Sequence, residues 1–322
     1  TRGLSIDDAI KLMTGEEGTE VTISVLHPDE TQAETVVLKR ERIQQPTVIG
    51  FRRDTKGQWD FTCDDEYQIA YIRITAFSGN TSRELRRTLK KLLGEDIQGL
   101  VVDLRFNPGG MLNQAVEVCD MFLREGRIVS IEGRATRNQT WDAKEAGTLI
   151  PKGFPVAVLI NRYSASAAEI VSACLQDNDV AVVVGERSWG KGSVQNIIVL
   201  EDGNSALKLT TAGYHRPSGQ NIHREVGATE DDQWGVHPSD GYEVEMSNRE
   251  LRDLGLLFSR RDELTRVQRP ADSTTEDDAS GNGAPRELKD RQMDKVLATL
   301  REQLEPVAAE TESNESASES DA

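Results

Sequence analysis

Three short segments are apolar almost from end to end: GLVVDLRF at 99–106, PVAVLIN at 155–161 and DVAVVVG at 179–185. Runs of this length without polar alternation are too short for membrane spans and fit strands covered on both faces. Between and before them lie segments with helical spacing, SRELRRTLKKLL at 82–93, MLNQAVEVCDMFL at 111–123 and AAEIVSACLQ at 167–176. YQIAYIRI at 67–74, SVQNIIVL at 193–200 and NSALKLTTAGY at 204–214 read as further strands. Strands alternating with helices predict an α/β core around a buried sheet.

The ends of the chain have a different character. SIDDAIKLMT at 5–14 has helical spacing with Ser5 as a candidate N-cap, and EVTISVLHP and ETVVLKRER alternate as two strands. The stretch from Pro270 to Pro285 holds four acids and no base, and the last seventeen residues hold five acids and no base. Both are poor in bulky apolar residues and are expected to be a linker and a disordered tail. RELKDRQMDKVLATLREQL, between them, reads as an amphipathic helix. The first residue is Thr and no signal-peptide pattern follows, so the chain is expected to be a fragment or a processed form.

Composition excludes several classes of function. A net charge of −17 is the wrong sign for nucleic acid or an anionic membrane surface. No run approaches the ~18 apolar residues of a spanning helix. Three cysteines, Cys63, Cys119 and Cys174, make neither a disulfide scaffold nor a thiolate metal site. None of the four histidines stands in a metal-ligand spacing, so no metal and no cofactor is expected. The segment from Gly185 to Lys191 matches G-x-x-x-x-G-K, but Gly192 stands where a phosphate loop needs Ser or Thr, and a strand follows where it needs a helix.

Three segments carry candidate chemistry. Asn161-Arg-Tyr-Ser164-Ala-Ser166-Ala-Ala-Glu169 sits where a buried strand hands over to a helix. A serine there is either an N-cap or a nucleophile beside free N–H groups at the positive end of the helix dipole, and either Ser164 or Ser166 fits. Lys191 stands between Gly190 and Gly192, which permit close approach. Drawn into a dry pocket it becomes a neutral base near pH 7; otherwise it is a solvated surface lysine. Asn107-Pro108-Gly109-Gly110 ends a buried strand, and its backbone N–H groups, with that of Ala167, suit an oxyanion hole.

In the order D-L-R-x-N-P-G-G, N-x-x-S-A-S-A-x-E and G-K-G-S-V-Q, these segments resemble the C-terminal processing peptidases, or tail-specific proteases. The resemblance covers about Ser5 to Glu245. It implies a crotonase/ClpP-like protease core, with Ser166 as nucleophile, Lys191 as base, Gln195 orienting the lysine, and Gly110 and Ala167 as oxyanion donors. It further implies a serine endopeptidase acting through an acyl-enzyme on unfolded or C-terminally tagged proteins with apolar C-termini. Its expected place is the bacterial envelope, periplasmic or tethered through a missing N-terminus, with homo-oligomerisation left open. Residues 1–42 look like the back half of a PDZ domain. The expected layout is thus partial PDZ 1–42, Ser/Lys protease core 43–269, linker 270–286, helix 287–305 and acidic tail 306–322. Two departures stand out: Ala168 replaces a third serine, and G-V-x-P-D appears with an extra residue as Gly235-Val-His-Pro-Ser-Asp240. Glu169 is expected mainly to stabilise the helix N-terminus. The rival readings are an inactive peptide-binding scaffold and a thioester enzyme of the same fold.

Overall fold

The computed structural model describes residues 3–26, 31–42, 45–133, 137–262 and 289–318. The chain divides into two units, Thr1–Pro46 and Thr47–Ala322. The linker expected at 270–286 lies outside the described residues.

The first unit is a helix and a hairpin. Helix α1 (Ile6–Met13) is capped by the Ser5 hydroxyl, which accepts the Asp8 N–H. Strands β1 (Glu20–Val25) and β2 (Glu34–Lys39) pair antiparallel. Arg40 closes the unit by donating to the Met13 and Glu20 carbonyls and to the Thr19 hydroxyl. Ile6, Ile10, Leu12 and Val37 remain exposed, since so few residues enclose no core.

The second unit contains, in chain order, β3 (Val48–Ile49), β4 (Arg52–Arg53), β5 (Trp59–Asp60), β6 (Thr62–Asp64), β7 (Ile69–Ile74), α2 (Thr81–Leu93), β8 (Gly99–Asp103), α3 (Leu112–Asp120), β9 (Arg127–Glu132), β10 (Gln139–Asp142), β11 (Val156–Ile160), α4 (Ala167–Asp177), β12 (Val182–Gly185), β13 (Ser193–Leu200), β14 (Ser205–His215), α5 (Asn248–Asp262) and α6 (Arg291–Ser318). Six strands form the main sheet in the order β12-β11-β8-β7-β3, with β6 also on β7. Strands β12, β11, β8 and β7 are parallel, and β3 and β6 run against them. A second sheet, β10-β9-β14-β13, is antiparallel throughout.

The apolar runs are apolar because the main sheet is covered twice. Ile72, Val102 and Val158 point to one face, where helices α2, α3 and α4 bring Leu85, Val118 and Val171. Their strand neighbours Tyr71, Val101 and Leu159 point to the other, where α6 brings Met293, Val296 and Leu300. The C-terminal helix is therefore half of the sandwich around the sheet.

Ion pairs from Arg105 and Arg301 dock α6 on the sheet. Arg105 donates to Asp290 just before the helix at 2.8 Å and to Gln292 at 3.2 Å, and it is also paired with buried Asp103 at 2.6 Å. Arg301 donates to Asp64 at 2.7 Å. Burial by itself raises both carboxyls, but the arginine charges and hydrogen bonds outweigh it and hold Asp64 and Asp290 below the usual range. The helical backbone continues through Pro306 to Ser318, past the boundary expected at residue 305 and into the stretch expected to be disordered. Ala308, Ala309 and Glu310, strong helix formers, follow the proline.

Leu300→Ala removes a side chain that is 1% exposed, and a loss of about 2–5 kcal/mol in urea unfolding is expected. Because Asp64 and Asp290 titrate lower when folded, the unfolded chain takes up protons first as pH falls. Their stabilisation is complete above the unfolded value of about 4 and is lost below it. The urea midpoint should hold from pH 7 to 5 and drop below about pH 4, with a shallower drop for Asp290→Asn.

Candidate active site

The candidate segments leave the carboxyl ends of three adjacent parallel strands, β8, β11 and β12. Loops at that edge of an α/β sheet converge on one crevice. The first turn is built by Asn107, whose side chain donates to the Ile74 carbonyl at 2.7 Å and accepts the Gly109 N–H at 2.8 Å. The Asn107 carbonyl accepts the Ala165 N–H at 2.9 Å, which joins this turn to the second. Gly109 has φ +95, and a Cβ on it would stand 2.7 Å from Ser166 Cβ and 2.8 Å from Ala167 N. Gly110 has φ +147 and room for no side chain, since a Cβ would lie 2.2 Å from the Phe77 carbonyl oxygen. Both conformations are open to glycine alone at little cost.

The two serines that the sequence left open have different surroundings. Ser164 is fully buried, and its hydroxyl donates to the Leu104 carbonyl at 2.8 Å and accepts the Asn161 N–H at 3.0 Å. Its carbonyl accepts the Trp189 N–H at 3.0 Å. That serine ties loops together. Ser166 is the N-cap of α4, with φ 56 and ψ −113, a region L-residues avoid at a cost of about 1–3 kcal/mol. Among the described residues neither the Gly110 N–H nor the Ala167 N–H meets an acceptor in the chain. Two free donors therefore flank the strained serine.

Glu169 lies below this turn, fully buried. One carboxylate oxygen accepts the N–H of Ser166 at 2.7 Å and that of Lys191 at 2.8 Å. The other accepts the Ser188 hydroxyl and the Gly190 N–H, both at 2.6 Å. Burial pushes the Glu169 carboxyl above the usual range, against the pull of those four donors. The sequence reading gave this residue the helix N-terminus and no more. Its spacing from Ser166 is that of a capping box, which points to the Ser166 contact but not to the three from the lysine loop.

The lysine loop is fixed by its backbone. Ser188 exchanges bonds with Val236, donating its N–H to the Val236 carbonyl and accepting the Val236 N–H on its hydroxyl. Arg224 N–H donates to the Gly190 carbonyl. The Lys191 side chain stands exposed, which is not the dry pocket that the sequence reading offered it. Gln195 is exposed on β13, where the ladder shifts register between Val194 and Gln195. Among the described residues no hydrogen bond joins the side chains of Ser166, Lys191 and Gln195, and no group of acids, histidines and cysteines is arranged to hold a metal.

A cleft of about 970 Å³ opens beside Lys191, lined by Tyr163, Trp189, His223, Trp234 and Glu243 among others. Arg187 builds one wall: it lies 3.4 Å over the Trp234 ring and donates to the Trp234 and Glu230 carbonyls.

Residues 68–234, which contain all three loops, match peptidase family S41, and the chain belongs to that family. Within it the chain is similar to proteases named for carboxy-terminal processing. It is 37% identical to one from Bartonella bacilliformis over 78% of this chain and 56% of that protein. It is 33% identical to one from Synechocystis over 70% of this chain and 50% of that protein. The chain thus spans about half the length of the curated relatives it matches. Among solved structures, the photosystem II D1 C-terminal processing protease superposes with a TM-score of 0.51 at 25% identity, over 76% of this chain and 60% of that one.

Gly109→Ala should fold with a displaced serine turn, because a Cβ there collides with that turn. The expected result is cooperative unfolding with a melting temperature lowered by a few degrees in a thermal melt, the cost of a backbone conformation that suits glycine alone.

Proposed function

We propose that this chain is the catalytic part of a serine endopeptidase with a Ser/Lys dyad. The observation that carries the reading is the strained Ser166 turn, with unengaged Gly110 and Ala167 N–H groups beside it and the Lys191 backbone hydrogen-bonded to the same carboxylate oxygen. Ser166 Oγ attacks the scissile carbonyl, and the carbonyl oxygen, now negative, is taken by the two N–H groups. Lys191, neutral when it acts, accepts the hydroxyl proton and passes it to the leaving amine. Water then cleaves the acyl-enzyme by the same route in reverse. The chemistry draws on no metal or cofactor.

In this geometry the Lys191 side chain is exposed. The reading requires its flexible four-carbon stem to turn toward Ser166 when substrate is bound. Gln195 takes the part of orienting the amine once both side chains turn inward. The substrates are unfolded or tagged polypeptides with apolar C-termini, as the family resemblance implies; the names of the relatives speak of carboxy-terminal processing. We read residues 1–42 as the back part of a PDZ domain, 43–269 as the protease core, 270–286 as a linker and 287–322 as the helix and acidic tail. We place the whole protein in the bacterial envelope.

The test is cleavage of an unfolded protein with an apolar C-terminus by the parent and by Ser166→Ala. The parent should cleave, and the variant should be slower by about 10⁴-fold or more, as for a lost nucleophile. Equal rates would place the nucleophile elsewhere. The exposed Lys191 favours one alternative, a catalytically inactive peptide-binding scaffold. Binding of that substrate by both forms, with cleavage by neither, selects it.

A further inference from the structure

We propose that Glu169 is a positioning residue for the reaction, holding the nucleophile and the base at a fixed separation through their main chains. This rests on the Ser/Lys reading above and goes beyond it, because it assigns the registration of the dyad to a third side chain.

The argument is geometric. Ser166 and Lys191 belong to different loops, after β11 and after β12, and in sequence they are far apart. Their backbone nitrogens meet on a single oxygen of Glu169, so they lie no farther apart than 2.7 and 2.8 Å laid end to end. The second oxygen holds Ser188 and Gly190, the residues on the approach to the lysine. Ser188 is in turn locked to Val236, so the carboxylate grips a loop that is braced from behind. Helix α4 supplies the rigid element: Glu169 lies in its first turn, and Ile170, Val171, Ala173 and Cys174 bury it in the core. A cap alone explains the Ser166 contact. It does not explain a carboxylate that spends three of its four bonds on the next loop.

The four partners share one chemical property: each donates. A carboxylate is an acceptor at both oxygens, and a glutamine is not. In Glu169→Gln the amide nitrogen takes one of the two places. In one orientation it faces the Ser166 and Lys191 N–H groups. In the other it faces the Gly190 N–H and a hydroxyl that must turn away. Volume and shape are kept, and the match of donors to acceptors is broken.

The experiment compares parent, Glu169→Gln, Ser188→Ala and Ser166→Ala in hydrolysis of an internally quenched peptide with an apolar C-terminus, alongside thermal melts. For a positioning residue, kcat of Glu169→Gln falls by about 100-fold or more while KM stays within about threefold and the variant melts cooperatively. A merely structural glutamate would lower the melting temperature and leave kcat near the parental value at temperatures where the protein is folded, and that result overturns the proposal. Should Glu169→Gln not fold, Ser188→Ala decides, since it removes one of the four donors and leaves the carboxylate. A fall of about tenfold in kcat supports the role, and a parental rate overturns it. A parent as inactive as Ser166→Ala removes the Ser/Lys reading and this role with it. An active parent with an equally active, folded Glu169→Gln removes this role alone.

Discussion

A buried carboxylate with four donors around it is the constraint on which the site is built. Glu169 has no room to leave a partner unmet, because an unpaired donor in a dry interior costs more than a single bond returns. Two loops that would otherwise be set only by their own turns are therefore set by each other. The strain at Ser166 is the visible cost: φ 56 on a non-glycine residue persists because α4, the Asn107 turn and Glu169 all specify it at once.

The same logic runs one layer down. The parallel strands end at one edge, and each loop is stitched to the next by main-chain bonds: Asn107 to Ala165, and Ser164 to Trp189. Side chains that look like candidates for chemistry are spent on this stitching. Ser164 has both ends of its hydroxyl engaged, and Arg105 is consumed by Asp103, Asp290 and Gln292. Among the described residues, the Gly110 and Ala167 N–H groups at this edge meet no acceptor, and Lys191 stands exposed.

The main-sheet strands and the helices packed on their first face were legible because burial on both faces leaves no choice of residue, and a run such as Val101–Val102 reads as nothing else. The N-P-G-G turn and the S-A-S turn were legible as places where a strand ends beside a helix. Less legible was whatever depends on a partner distant in sequence. Strand β9 and helix α5 were not read: RIVSIE is short, and in α5 only Leu251, Leu254 and Phe258 are buried amid charges and a glycine. Lys191 between two glycines suggested a buried base, but the backbone is what the glycines serve. A Cβ at Gly192 would lie 2.3 Å from the His223 nitrogen, and the side chain between them is free to face water. The wider role of Glu169 was hidden for the same reason, since Ser188 and Gly190 are brought to it by the path of β12.

The pairing of Arg105 with Asp290 spans 185 positions of sequence. Arg105 lies two residues before Asn107, in the turn that supports the strained serine, and Asp290 stands at the mouth of the helix that seals the far face of the sheet. A loop closed over that distance forms late, after the local helices and hairpins. Arg105, at the end of the strand that leads into this turn, is therefore fully paired only when residue 290 has docked. One contact thus couples the edge of the sheet that carries Ser166 to the helix that covers the sheet's opposite face.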